Sequence, residues 1–162
     1  MKANSVFNRN FIYLSILFLF LNFLGLFLGV YFTGDGVTSD WYQTLNKAPW
    51  TPPGWVFGFA WTSIMICFAF YLSKLFIKEY NKKRNVIIYA GQWILNLSWN
   101  PLFFYFHEMA IAMFVLILLL IILLYLFYVN YYTIKTSSFL VLPYVLWLIV
   151  ACSLNAYTLF NN

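Results

Sequence analysis

The sequence predicts an all-α membrane protein, a bundle of five transmembrane helices, from three observations. First, 64% of its 162 residues are hydrophobic and 8% are charged, and the mean hydropathy is +0.82. A soluble domain carries about 25% charged residues, so this chain has too little charge to cover a water-facing surface. Second, its apolar residues form runs long enough to cross the ~30 Å hydrocarbon core of a bilayer. Third, its basic residues are concentrated in every other connection between these runs, as in proteins that cross a membrane several times.

Sparse polar residues divide the chain into five predicted spans. We expect these spans to form one domain, residues 1–162. The stretch from Asn85 to Tyr132 would form a helix of about 72 Å, more than twice the bilayer thickness. It is therefore divided at Pro101 and at the pair His107-Glu108. The first run is longer than the ~7–15 apolar residues of a signal peptide, so we expect a retained span. The predicted spans are residues 11–32, 53–77, 85–105, 109–131 and 139–160.

The basic residues predict the orientation. If the N-terminus lies inside, only Lys47 of the nine basic residues falls on the outer side. Such asymmetry follows the positive-inside rule and predicts an N-terminus inside and a C-terminus outside. The membrane itself is expected to be a bacterial inner membrane. The net charge of +5 is thus explained by orientation, and we expect no nucleic-acid partner. The inner basic residues are Lys2, Arg9, Lys74, Lys78, Lys82, Lys83, Arg84 and Lys135.

Polar side chains recur on one face of two predicted spans. Amides facing lipid are costly, so these faces should contact protein or a polar cavity. The spacing leaves open whether they form interhelical hydrogen bonds or a ligand site. The face of the third span holds Gln92, Asn96, Trp99, Asn100 and Phe103. The face of the fifth span holds Tyr144, Trp147, Ala151, Asn155 and Thr158.

Two pairs of glycines have the four-residue spacing that is typical of closely packed membrane helices. Gly25 and Gly29 lie in the first predicted span, and Gly54 and Gly58 lie in the second. Because glycine has no side chain, each pair lets another helix approach closely. We therefore expect both pairs to lie at helix contacts.

The first outer loop, residues 33–52, ends in the stiff aromatic stretch KAPWTPPGW at 47–55. Fixed proline φ angles leave such a loop little entropy to lose when it closes over a cavity, and Pro52-Pro53 are predicted to start the second helix. We interpret the loop as a semi-rigid lid, the alternative being an interfacial anchor of amphipathic rings. The lid residues are Lys47, Pro49, Trp50, Pro52 and Pro53.

The sequence contains no recognisable catalytic arrangement. The single histidine, His107, lies beside Glu108 in a predicted turn, and no further ligands stand at metal-site spacing. No serine or cysteine has an evident base and orienting group. Cys67 and Cys152 lie within apolar runs and are interpreted as small buried side chains. We predict no catalytic residue, no metal and no cofactor.

Three segments resemble the tryptophan-rich sensory protein/translocator protein (TspO/MBR) family. They are WYQTLNKAPWTPPGWVFGFAW at 41–61, Q-x3-N-x2-W at 92–99 and PYVLW-x3-A-x2-LN at 143–155. The resemblance implies a five-helix membrane protein, commonly a homodimer, that binds porphyrins, sterols or benzodiazepine-type drugs beneath the first loop. Two features depart from the family: Ala48 follows Lys47 where proline is usual, and no basic residue follows Tyr157 as in sterol-recognition motifs.

The predicted function is therefore the binding of flat hydrophobic ligands in a sensory or regulatory role. The alternatives are a transporter of tetrapyrroles, a light-dependent porphyrin-degrading enzyme, and a scaffold that only assembles partners. Transporters usually contain inverted repeats, which this chain lacks. By the resemblance, the pocket walls are Trp41, Tyr42, Trp61, Met65, Asn96, Trp99, Trp147 and Ala151; the polar faces add Gln92 and Asn155.

Overall fold

The computed structural model describes residues 2–78 and 81–162, with side chains from residue 9 onward. Within these ranges the chain is helical, with turns and no strand. Five long helices and one short helix are joined by short connections, which confirms the all-α prediction. The helices are α1 (Lys2–Thr33), α2 (Asp40–Thr44), α3 (Gly54–Lys78), α4 (Lys82–Asn100), α5 (Met109–Ile134) and α6 (Leu142–Phe160).

The long helices coincide with the predicted spans to within a few residues, apart from extra turns at the start of α1. Two boundaries need correction. Helix α3 begins at Gly54 rather than at Pro52-Pro53, which form the extended approach to its first turn. The last span was predicted from residue 139, but residues 135–141 form a 3-10 helix that begins where Lys135 adopts a φ of 49°. Helix α6 therefore starts at Leu142, with Pro143 in its first turn.

By length and composition, three helical stretches of the described chain could cross a membrane. They are residues 9–38, 54–78 and 109–160, and the last contains both α5 and α6. Helix α4 is absent from this set because its basic first turn and its amides lower its hydropathy. It nevertheless packs against both α1 and α5, which makes it a member of the same bundle.

The five long helices form a closed ring. Helix α1 packs against α3 and α4, α5 packs against α4 and α6, and α6 returns to α3. The core between them is apolar and includes the fully buried Phe68, Leu72, Leu119 and Leu148. The opposite faces expose Leu, Ile, Phe and Tyr side chains, as expected for helices whose solvent is lipid.

The end of α4 is shaped by Pro101. Proline has no N–H to continue the helical ladder, and residues 101–105 form a wider π-helical turn in which the Phe106 N–H donates to the Pro101 carbonyl at 2.9 Å. The chain then reverses at His107, whose φ is 58°, and α5 begins two residues later. The predicted break at Pro101 and His107-Glu108 is thus confirmed.

The two glycine pairs differ in their surroundings. A Cβ on Gly25 would lie 2.6 Å from Nε1 of Trp93, and one on Gly29 would lie 2.9 Å from Nδ2 of Asn100. This pair therefore allows close approach of α1 and α4, as predicted. A Cβ on Gly54 or Gly58 would meet no heavy atom within 4 Å. The expectation of close helix packing at the second pair is wrong within this chain, because α3 is uncovered there.

Candidate functional site: a cavity among the five helices

A small cavity of about 100 Å³ lies among the five long helices. Its leucine-rich wall comes from α1, α5 and α6, while α3 and α4 supply its aromatic and amide side chains. Two glycines of α1 line the cavity where α1 approaches α4 closely. The residues that give the cavity this character are Gly25, Gly29, Trp61, Asn96, Trp99 and Asn100.

Two of the predicted amides hydrogen-bond to Tyr144. Its hydroxyl accepts from Nε2 of Gln92 at 2.9 Å and from Nδ2 of Asn96. Tyr144 is 1% exposed, and its ring meets the Trp61 indole edge to face at 5.8 Å. These hydrogen bonds join α4 to α6, and the ring contact places Trp61 of α3 against Tyr144. Tyr144 lies on the polar face identified in the sequence but was not among the predicted site residues; its position on the same face as Trp147 and Asn155 was the available signal.

Asn155 connects three helices near the end of the bundle that carries α2, here called the loop end. Its Oδ1 accepts from the Trp99 indole N–H at 3.3 Å, and its Nδ2 donates to the Met109 carbonyl at 2.9 Å. The Trp99 ring also stacks on Phe103, with ring centroids 5.3 Å apart. Trp99, which lines the cavity, is thereby held from two sides.

Three further predicted residues belong to the main core or pack against it and are not among the residues lining the cavity. Met65 is buried, and its carbonyl accepts from Nδ2 of Asn22 at 3.1 Å. Trp147 is half-buried and meets Phe57 edge to face at 5.2 Å. Ala151 is half-buried against the main core. Of the ten predicted ligand residues, only Trp61, Asn96 and Trp99 line the cavity.

Trp41 and Tyr42 lie in α2, a short helix in the first loop that the sequence analysis did not predict. The Ser39 hydroxyl caps it by accepting from the Tyr42 N–H at 3.2 Å. Both aromatic rings pack on Phe103, and Trp41 also stacks on His107 with centroids 3.9 Å apart and planes 16° apart. Burial raises the pKa of the Tyr42 phenol. The loop thus covers the ends of α4 and α5.

Two of the five predicted lid residues, Lys47 and Trp50, make contacts that hold the second half of the loop. Nζ of Lys47 donates to the Tyr42 carbonyl at 2.9 Å and lies 4.5 Å from the centre of its ring. Nε1 of Trp50 donates to the Ser153 hydroxyl on α6 at 3.2 Å. Pro49 and Pro53 are exposed, and Pro52 is half-buried. The loop therefore contacts α4, α5 and α6.

A second polar network at the opposite end of the bundle was also missed. Nη2 of Arg84 donates to Oδ1 of Asn130 at 3.3 Å, and Nδ2 of Asn130 donates to the Tyr71 hydroxyl at 3.3 Å. The Tyr71 hydroxyl donates to the Leu126 carbonyl at 2.8 Å. Asn130, an amide near the end of the apolar fourth span, was the available signal. This network connects α3, α4 and α5.

Replacing His107 with asparagine is expected to loosen the first loop. Asparagine tolerates a positive φ but removes the ring that stacks on Trp41. An aromatic pair contributes about 0.5–1.5 kcal/mol, so local opening of α2 should rise about two- to tenfold. Hydrogen exchange of the amides of residues 40–45 measures this change. Glu108→Gln, which alters only the neighbouring exposed side chain, serves as the control; equal exchange in both variants contradicts a role for the stack.

Comparison with known proteins gives a consistent result. The sequence model of the TspO/MBR family matches residues 17–160. The tryptophan-rich sensory protein of Cereibacter sphaeroides is 32% identical over 138 residues, which cover 85% of this chain and 87% of that protein. The translocator protein of Bos taurus is 34% identical over 144 residues, covering 85% and 83%. Protein CrtK of Rhodobacter capsulatus is 32% identical over 118 residues, covering 71% and 74%.

Proposed function

The chain belongs to the TspO/MBR family of membrane proteins, and on that premise we propose that it binds flat hydrophobic ligands between its helices. The ligand class is porphyrins or related tetrapyrroles, and the role is sensory or regulatory. The observation that carries the proposal is that Trp61, Asn96 and Trp99, which come from two helices, line the same cavity among the five long helices.

The chemistry of these side chains supports a planar guest. Indole rings offer flat apolar surfaces for stacking, and an amide fixes orientation by hydrogen bonding. Small-molecule sites are generally built in this way, from apolar walls with a few polar groups. Asn96 lines the cavity while its Nδ2 is directed to Tyr144. A bound ligand therefore competes for, or adds to, an existing hydrogen bond.

The cavity has to widen before a tetrapyrrole fits. Its volume is about 100 Å³, whereas sites for drug-sized ligands measure about 300–1,000 Å³. We infer that the contacts that yield are those of Trp99, because its indole lies between the cavity, Phe103 and Asn155. Each is an ordinary hydrogen bond or ring contact, about 1 kcal/mol in magnitude, which ligand contacts can replace.

We also propose a homodimer in a bacterial inner membrane, with the N-terminus inside and the C-terminus outside. The basic residues support this orientation, since all but Lys47 lie on the predicted inner side. The family resemblance supports the dimer. Cysteine labelling from either side of the membrane tests the orientation, and the mass of the protein in nanodiscs tests the dimer.

Titration of the purified protein with protoporphyrin IX tests the binding proposal. We expect saturable quenching of tryptophan fluorescence, because indoles next to the ligand transfer their excitation to it. Trp61→Phe should weaken affinity and reduce quenching, since Trp61 lines the cavity. Trp147→Phe should have a smaller effect, since Trp147 lies one layer away against Phe57.

The matched control is Trp55→Phe, in the same helix as Trp61 but exposed. This variant should retain the affinity of the unmodified protein. Absence of saturable quenching in the unmodified protein overturns the proposal. Equal affinities of Trp61→Phe and Trp55→Phe overturn the placement of the site.

A further inference from the structure

Helices α1 and α3 are in close contact through the part of the bundle away from the loop end. The Ser15 hydroxyl donates to that of Ser73 at 3.1 Å, and Nδ2 of Asn22 donates to the Met65 carbonyl at 3.1 Å. The pairing is antiparallel, so residues after Asn22 on α1 face residues before Met65 on α3. Both polar contacts are buried.

Beyond the Asn22–Met65 contact, toward the loop end, α3 loses the cover that it has deeper in the bundle. Residues 58, 65 and 72 of α3 lie on one line along the helix, because seven residues make almost two whole turns. Met65 and Leu72 are buried, but Gly58 is exposed and a Cβ there would meet no heavy atom within 4 Å. The face of α3 that is covered deeper in the bundle is therefore uncovered toward the loop end.

The cavity extends to this uncovered region. Val30 of α1 lines the cavity together with Trp61 of α3, yet Val30 is 67% exposed. A side chain can do both only where the cavity approaches the outer surface of the bundle. That surface faces lipid, because α1 and α3 are both apolar enough to cross a membrane.

We propose that this gap between α1 and α3, bounded by Val30, Gly58 and Trp61, is a lateral portal through which ligands pass between the bilayer and the cavity. The portal rests on the proposed binding function and adds the route by which the ligand reaches the cavity. It selects hydrophobic ligands that first dissolve in the bilayer half on the loop side. The loop offers a less direct route, since Trp41 stacks on His107 and Trp50 is hydrogen-bonded to Ser153.

Stopped-flow mixing tests the portal. The protein in nanodiscs is mixed with vesicles containing protoporphyrin IX, and tryptophan quenching gives the association rate. Gly58→Leu narrows the gap from α3, where the space for it exists and the residue does not line the cavity. It should slow both association and dissociation about fivefold or more and change Kd by less than about threefold, because a narrowed route affects both rates. Val30→Trp narrows the same gap from α1 and should also slow both rates.

The matched control is Phe27→Trp, on the same helix and 66% exposed, but not among the cavity-lining residues. It should leave both rates unchanged. The portal is overturned if Val30→Trp and Gly58→Leu keep the unmodified rates, or if His107→Asn, which loosens the loop, accelerates association instead. Failure of the proposed binding function can be distinguished from failure of the portal, because the unmodified protein then shows no saturable quenching at all.

Discussion

Replacing Gly25 with alanine is expected to destabilise the protein, although alanine normally favours a helix over glycine by about 1 kcal/mol. The new Cβ would lie 2.6 Å from Nε1 and 3.1 Å from Cε2 of Trp93. The indole cannot simply turn away, because its N–H donates to the Leu21 carbonyl at 3.1 Å. Overpacking of this kind costs about 1–3 kcal/mol, and thermal unfolding in detergent should show a lower midpoint.

Gly91→Ala provides a control of opposite sign. Gly91 lies in the middle of α4, and a Cβ there would meet no heavy atom within 4 Å. With no clash, only the helix-propensity gain of about 1 kcal/mol remains, so the unfolding midpoint should rise. A Gly25→Ala variant that is as stable as Gly91→Ala would show that α1 and α4 are not closely packed at Trp93.

Tyr144→Phe is expected to destabilise the protein by a comparable amount, through the loss of hydrogen bonds rather than through overpacking. The substitution preserves the ring but removes the oxygen that accepts from Gln92 and Asn96. Within an apolar bundle, two amide N–H groups then lose their partner. An unsatisfied buried donor costs about 1–3 kcal/mol, so we expect a loss of about 2 kcal/mol in the free energy of unfolding, measured by denaturant titration in micelles.

Tyr132→Phe controls for loss of a tyrosine hydroxyl as such. Tyr132 is 84% exposed near the end of α5, so its variant should unfold like the unmodified protein. The ligand affinity of Tyr144→Phe is also informative. Since Asn96 lines the cavity, releasing its amide should make its N–H available to a bound porphyrin. Equal stabilities of the two variants contradict a structural role for the Tyr144 hydroxyl.

The contacts of α4 indicate how the proposed binding would be coupled to the packing of the helices. Asn96 and Trp99 line the cavity, and the same side chains hydrogen-bond to Tyr144 and Asn155 of α6. A ligand that widens the cavity must therefore alter the α4–α6 contact. Asn155 also bonds the start of α5, so a change at Trp99 reaches the end of the bundle covered by the loop.

The sequence by itself determined the number of long helices and their approximate ends. Lipid offers the backbone no hydrogen-bond partners, so each long apolar run must satisfy its own N–H and C=O groups as a helix. The breaks follow from Pro101, which cannot continue the ladder, and from the polar pair His107-Glu108. The resemblance of segments 41–61, 92–99 and 143–155 also identified the family, later shown by the match over residues 17–160.

Only the tertiary structure decided which faces meet. The pairs Gly25/Gly29 and Gly54/Gly58 have the same spacing, yet one contacts α4 and the other is open. Whether an amide binds a ligand or another helix likewise depends on side chains distant in sequence. The amide of Gln92, for example, hydrogen-bonds to Tyr144 on another helix. Local spacing specifies the direction of a side chain from its own helix axis, but its partner is set by how the remaining helices pack around that axis.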